Sequence, residues 1–235
     1  MKSGALCVWL TAGLFALGGC DAEEAGAGTP TGAVVVEPEG EAPPIDPGAG
    51  PTRGAGIRRL TVDQLQAVVP VVAGNDAAGQ PIRWRVQLGQ KTLDAYDDAA
   101  LGKVLGRPDY VTVTEEDPSP SSLYVKFVQD MARDVCNQIV LADLARPAAE
   151  PRTLWPKAPI DGTATAAAVD ENLRHLVLRF HGRLAKDGDE TVSALGALRT
   201  AAVAAATPGG QVPPEARGWQ AVCLALIEDP AFHLH

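Results

Sequence analysis

The chain has 235 residues, with 20 basic against 29 acidic side chains and a net charge of −9. That balance disfavours nucleic acid and anionic membrane surfaces as partners, because binding either requires cations to neutralise phosphates.

In chain order, the first feature is a targeting segment. Lys2 supplies a positive n-region, and Ala5 to Leu17 form an apolar stretch too short to span a bilayer. The stretch ends in Leu17-Gly18-Gly19-Cys20, an aliphatic residue, two small residues and a cysteine. This resembles the lipobox of bacterial lipoproteins, and residues 1–19 therefore read as a lipoprotein signal peptide. The resemblance implies cleavage before Cys20, a diacylglycerol thioether on that cysteine and an amide-linked acyl chain such as palmitate. More than one buried chain gives stable anchoring. The expected location is the cell envelope, at a membrane outside the cytoplasm; Asp21 leaves inner and outer membrane both open. Cleavage removes only Lys2 among the charges, so the mature chain is one unit more negative.

Residues 20–56 comprise the lipidated cysteine and a tether rich in Gly, Ala, Pro and Glu, with little apolar surface to offset the entropy of ordering. A flexible chain of this length reaches roughly 30 to 36 Å on average and about 120 Å fully extended. Ala33-Val34-Val35-Val36 is its one apolar run and a weak candidate for an edge strand.

Residues 57–235 are expected to form one mainly α domain of about six helices with a small β-hairpin. Thr61-Val62-Asp63-Gln64 matches a capping box, which opens a short first helix bounded by Pro70. Ile82 to Leu88 alternates apolar and polar, the period of a half-buried strand, and Tyr110 to Thr114 is its candidate partner. Between them a second helix is predicted over Thr92–Leu105, closed by Gly106-Arg107-Pro108.

A longer helix begins near Ser121 and carries Leu123, Phe127, Met131, Val135, Cys136 and Ile139 on a wide apolar face. A fourth is predicted from Ala166 to Ala185 and a fifth, alanine-rich, from Asp189 to Ala206. The sixth opens at Pro213-Pro214-Glu215, presents Trp219, Cys223 and Leu226, and stops near Asp229-Pro230. His233-Leu234-His235 reads as a frayed terminus.

Of four cysteines, Cys7 falls in the signal peptide and Cys20 takes the lipid, leaving Cys136 and Cys223. Export places both in an oxidising compartment, and a Cys136–Cys223 disulfide is expected; the alternative is a pair of buried thiols.

No residue is assigned a catalytic or metal role, and no cofactor is assigned. Ser193 has no glycine at nucleophile-elbow spacing, and five residues before Gly102-Lys103 stands Asp97, not the glycine of a phosphate loop. A haem-attachment Cys-x-x-Cys-His is missing. His175 and His181, six apart on a helix, point about 120° from each other. Glu171 and His175 read as a solvated helix pair, and Asp187-Gly188-Asp189-Glu190 as a turn before an acidic helix start.

Ile57-Arg58-Arg59-Leu60-Thr61 with Gln64, Leu178 to Leu184 with the acidic helix after it, and Ala225 to Phe232 are similar, in the same order, to parts of helical domains of unknown function. Those domains occur in secreted planctomycete and myxobacterial proteins and accompany c-type cytochrome domains. The resemblance covers about a third of the domain, and this chain lacks the Glu-Tyr and Asn-Thr that commonly follow the first motif. It implies a surface helical protein working beside other exported proteins and transfers no active-site residue.

The favoured reading is a lipid-anchored interaction or accessory module, attached to the membrane through Cys20, with an exported protein as partner. Two alternatives stay open. An exported enzyme of the hydrolase class would assemble a polar cluster from separate helices, with Asp94, Asp97, His175 and His181 as candidates. The other is a small-molecule or haem-binding module. Trp84, Trp155 and Trp219 would mark a partner surface if exposed, and core packing is the expected role for each.

Overall fold

The computed structural model describes residues 57–97, 99–108, 111–112, 114, 116, 119–147, 150–207 and 209–235, with the side chains of Ala99, Ala100 and Val104 left aside. The segments expected to be a signal peptide (1–19) and a lipidated tether (20–56), with Cys20 and the Ala33–Val36 run, lie outside the described residues. So do Tyr110 and Val113 of the weaker strand candidate.

Seven helices and one two-stranded sheet are seen among the described residues: α1 (Val62–Ala73), β1 (Arg85–Leu88), β2 (Lys91–Asp94), α2 (Ala99–Val104), α3 (Ser122–Ala145), α4 (Ala166–His181), α5 (Glu190–Ala205), α6 (Pro214–Glu228) and α7 (Pro230–His233). The fold is mainly α with a small antiparallel hairpin, as the sequence predicts. None of these helices is long and apolar enough to cross a membrane.

The caps follow from the sequence. Thr61 Oγ1 accepts from the Gln64 N–H at 3.1 Å, and Gln64 Oε1 accepts from the Thr61 N–H at 2.8 Å. Asp189 caps α5 through the N–H groups of Thr191 and Val192, and Gly182, left-handed at φ 63°, ends α4 four residues earlier than the apolar period suggests. Leu184, predicted on that helix, is consequently exposed.

Pro70 does not bound α1, which continues to Ala73. Proline lacks the N–H that an inner turn would use. The turn is retained because Val72 and Ala73 are buried and Arg179, on α4, donates to the Val72 carbonyl at 2.6 Å.

The hairpin also differs from expectation. β1 pairs with β2, with Val86 opposite Leu93 and Gln87 opposite Thr92, so the predicted second helix is split. Its first residues form a strand and helix resumes only at Ala99. A two-residue loop at Gly89-Gln90, with Gly89 at φ 62°, favours local pairing over a long-range partner. The alternation over Ile82 to Leu88 does locate core residues, since Ile82 and Trp84 are buried, but the ladder starts only at Arg85 and Leu88 is exposed.

The core is centred on α3 and α6. α3 buries Tyr124, Val128, Met131, Val135 and Ile139; α6 buries Trp219, Val222, Leu226 and Ile227. The Cys136–Cys223 disulfide joins them, its Cα atoms 5.9 Å apart and its partners 87 residues apart in sequence. α5 lies against α6 at Gly218, where a Cβ would stand 2.6 Å from Val203 Cγ2 and 2.9 Å from Arg199 Cγ.

The last residues are not frayed. Leu234 forms an antiparallel bridge with Arg59, with Arg58 N–H to His235 O and His235 N–H to Arg58 O both 2.8 Å. The Arg59 guanidinium, buried, pairs with Glu116 at 3.0 Å and lies over the Tyr124 ring, which in turn packs on His233. His233 is buried in this contact, beside the backbone bonds that hold the terminus.

Candidate functional site

The residues proposed as a polar cluster are engaged separately. Asp94 pairs with Arg83 at 3.2 Å and accepts from the Tyr96 N–H; Asp97 accepts from Gln66 Nε2 at 3.3 Å. His181 Nε2 lies 2.9 Å from the Leu226 carbonyl oxygen. His175 is half-buried near Arg179 and Lys157, and burial, with those two cations, pushes its pKa down. Among the described residues no group of three or more His, Cys, Asp and Glu side chains is placed to hold a metal ion. Trp84, Trp155 and Trp219 are all buried in the core.

A cleft gathers polar groups elsewhere, where the ends of α1 and α3 meet α4 and the proline-rich segment 150–161. Asp143, in the last turn of α3, is fully buried. It accepts from the Thr153 N–H at 2.8 Å and the Leu154 N–H at 2.7 Å, and from Arg146 Nη1 at 2.8 Å. Burial pushes its carboxyl pKa up, opposed by those N–H groups and the Arg146 charge. Asn172, buried on α4, holds the same segment from the other side: its Nδ2 donates to the Leu154 carbonyl at 2.8 Å and its Oδ1 accepts from the Lys157 N–H at 3.0 Å. Two side chains thereby satisfy backbone groups that a buried irregular segment would otherwise leave unpaired.

The fixed segment forms one wall of a cleft of about 700 Å³, lined by Arg146, Arg152, Arg179, Thr153, Asp76 and Glu150 among others. Through Glu150, Pro151 and Arg152 it borders a second hollow of about 430 Å³ against Trp155. Arg146 is committed: Nη1 to Asp143 and Thr153 Oγ1, Nη2 to the Asn75 carbonyl at 2.6 Å. Arg152 donates through Nη1 to the carbonyls of Pro147 and Glu150. Arg179 uses Nε for Val72 and reaches the Val71 carbonyl from Nη2 at 3.4 Å. Burial lowers the Arg179 pKa, opposed by the charge of Asp143.

These groups offer binding chemistry: planar forks of N–H donors fixed by backbone carbonyls, with carboxylates close by. The sequence carried a signal for part of the site. Asp143 falls on the apolar stripe of α3, four residues after Ile139, and Asn172 falls between Val169 and Leu173 on that of α4; a polar residue on a core stripe must have buried partners. Arg152 and Arg179 had no such mark. No protein family, no curated protein and no solved structure matches this chain.

Proposed function

We propose that this chain is a lipid-anchored protein of the bacterial cell envelope whose helical domain serves as an interaction module for another exported protein. The observation that carries the reading is the Cys136–Cys223 disulfide between the two central helices. Disulfides persist in oxidising compartments outside the cytoplasm, which agrees with the signal peptide and lipobox-like Leu17-Gly18-Gly19-Cys20. A tether of this composition would let the domain stand off the membrane, and the net charge of −9 disfavours phosphate-bearing partners.

Crosslinking in the native cell, followed by purification from the membrane fraction, tests both halves. The expected result is a membrane-bound protein that incorporates labelled palmitate and brings a near-stoichiometric exported partner. A Cys20→Ser chain is expected to leave the membrane fraction. Unlabelled protein in the soluble fraction would overturn the anchor, and recovery of the protein alone would overturn the interaction role.

A further inference from the structure

We infer that the cleft between the ends of α1 and α3 and segment 150–153 is a binding site for a carboxylate group, borne by a small molecule or by the C-terminus of a polypeptide. This goes beyond the anchored-module reading and does not depend on it.

Three observations point there. First, Arg152 and Arg179 line the same cleft, and neither has a carboxylate within ion-pair distance among the described residues, although the chain is acidic and most of its other arginines are paired. Arg179 is half-buried, and the Asp143 carboxylate whose charge reaches it is already bound by Arg146 and by the Thr153 and Leu154 N–H groups, so a partly desolvated cation has charge left to offer an anion. Second, both guanidiniums are fixed in advance. Arg152 Nη1 and Arg179 Nε are held by backbone carbonyls, while Arg152 Nη2 and Arg179 Nη1 have no partner among the described residues. Ligand binding then costs little further ordering. Third, the charge of the cleft selects among anions. Asp76 and Glu150 share the wall with Arg146, Arg152 and Arg179, and the buried Asp143 already pairs with Arg146, so the cleft is far from strongly cationic. A dianionic phosphate meets more repulsion there than a planar monoanion, which also matches the guanidinium fork. The volume, about 700 Å³, is that of a small-ligand site.

Calorimetric titration of the full chain provides the test, with acetate, N-acetyl-alanyl-alanine, its C-terminal amide and inorganic phosphate as probes. The acids are expected to bind and the amide not. Equal affinity for acetate and the dipeptide assigns the site to free carboxylates, and tighter binding of the dipeptide assigns it to chain termini. Arg152→Gln, which gives up contacts to loop carbonyls only, is expected to keep the melting temperature and weaken binding by about tenfold or more. Glu150→Gln removes an opposing charge and is expected to tighten it, a gain that misfolding would not mimic. Phosphate binding tighter than the acids, an amide that binds as well as the acid, affinities indifferent to both substitutions, or no heat from any probe at tens of millimolar would each overturn the assignment.

Discussion

Two regions of this domain are held by different physics. The α3–α6 seam is apolar, closed by the Cys136–Cys223 bond and tightened where α5 meets α6 at Gly218. The cleft region is held by buried polar staples, with Asp143 and Asn172 satisfying the backbone of segment 153–157 from opposite helices. Apolar packing is distributed and loses stability by increments. A polar staple concentrates several hydrogen bonds in one side chain, and its loss leaves every partner unsatisfied at once.

The largest effect is expected at the seam. Replacing both Cys136 and Cys223 by serine is expected to lower unfolding stability by about 4 to 5 kcal/mol, from the entropy of a loop whose ends stand 87 positions apart. Denaturant titration against the oxidised protein measures it, and a loss below about 1 kcal/mol would show that packing alone holds the two helices.

At the cleft, Asp143→Ala should destabilise by about 3 to 4 kcal/mol, the range for breaking a buried charge pair. Hydrogen exchange separates the two regions: the Thr153 and Leu154 amides should lose protection before those of α6. Loss of protection in both regions together would mean that the staple and the seam are one cooperative unit.

A smaller effect is expected at Gly218→Ala. The new methyl meets Val203 and Arg199 inside contact distance, and overpacking of this kind costs about 1 to 3 kcal/mol. A shift of melting temperature with an unchanged carboxylate affinity would place the damage in the seam alone.

The smallest expected effect comes from pH. Burial lowers the His233 pKa below its ordinary 6.5, against the opposing pull of the Glu228 carbonyl and Asp229. The unfolded chain therefore takes the proton first. The stability this residue supports is complete above pH 6.5 and declines as pH falls below it. Urea midpoints measured down from pH 7.5 should fall in the wild type and fall less steeply in His233→Phe, the half-buried His175 keeping its own share of the slope; parallel slopes would remove His233 as a cause.

Sequence reading was strongest where a single period governs. The stripe of α3 located Met131, Val135, Cys136 and Ile139, all buried, and the Thr61–Gln64 box formed as predicted. It failed where local and tertiary terms compete. Thr92 to Asp94 fit a helical face, yet the Gly89 turn gave them a nearby strand partner. Pro70 marked a stop that Arg179, 109 positions later in the chain, overrides by satisfying the Val72 carbonyl. The cleft was the least legible part, because Arg146, Arg152 and Arg179 meet only after three helices have packed and no local spacing encodes their approach.

The pairing of Arg58 with His235 has a mechanical consequence. Residues 58–60 and 233–235 run antiparallel through this isolated bridge, so a pull that separates Ile57 from His235 loads the hydrogen bonds one after another, as a zipper opens, and not together in shear. The residues between Cys136 and Cys223, which stand 87 positions apart, lie beyond the reach of that pull. A force trace should show a soft first yield and a final contour length short by the whole locked loop, which reduction would restore.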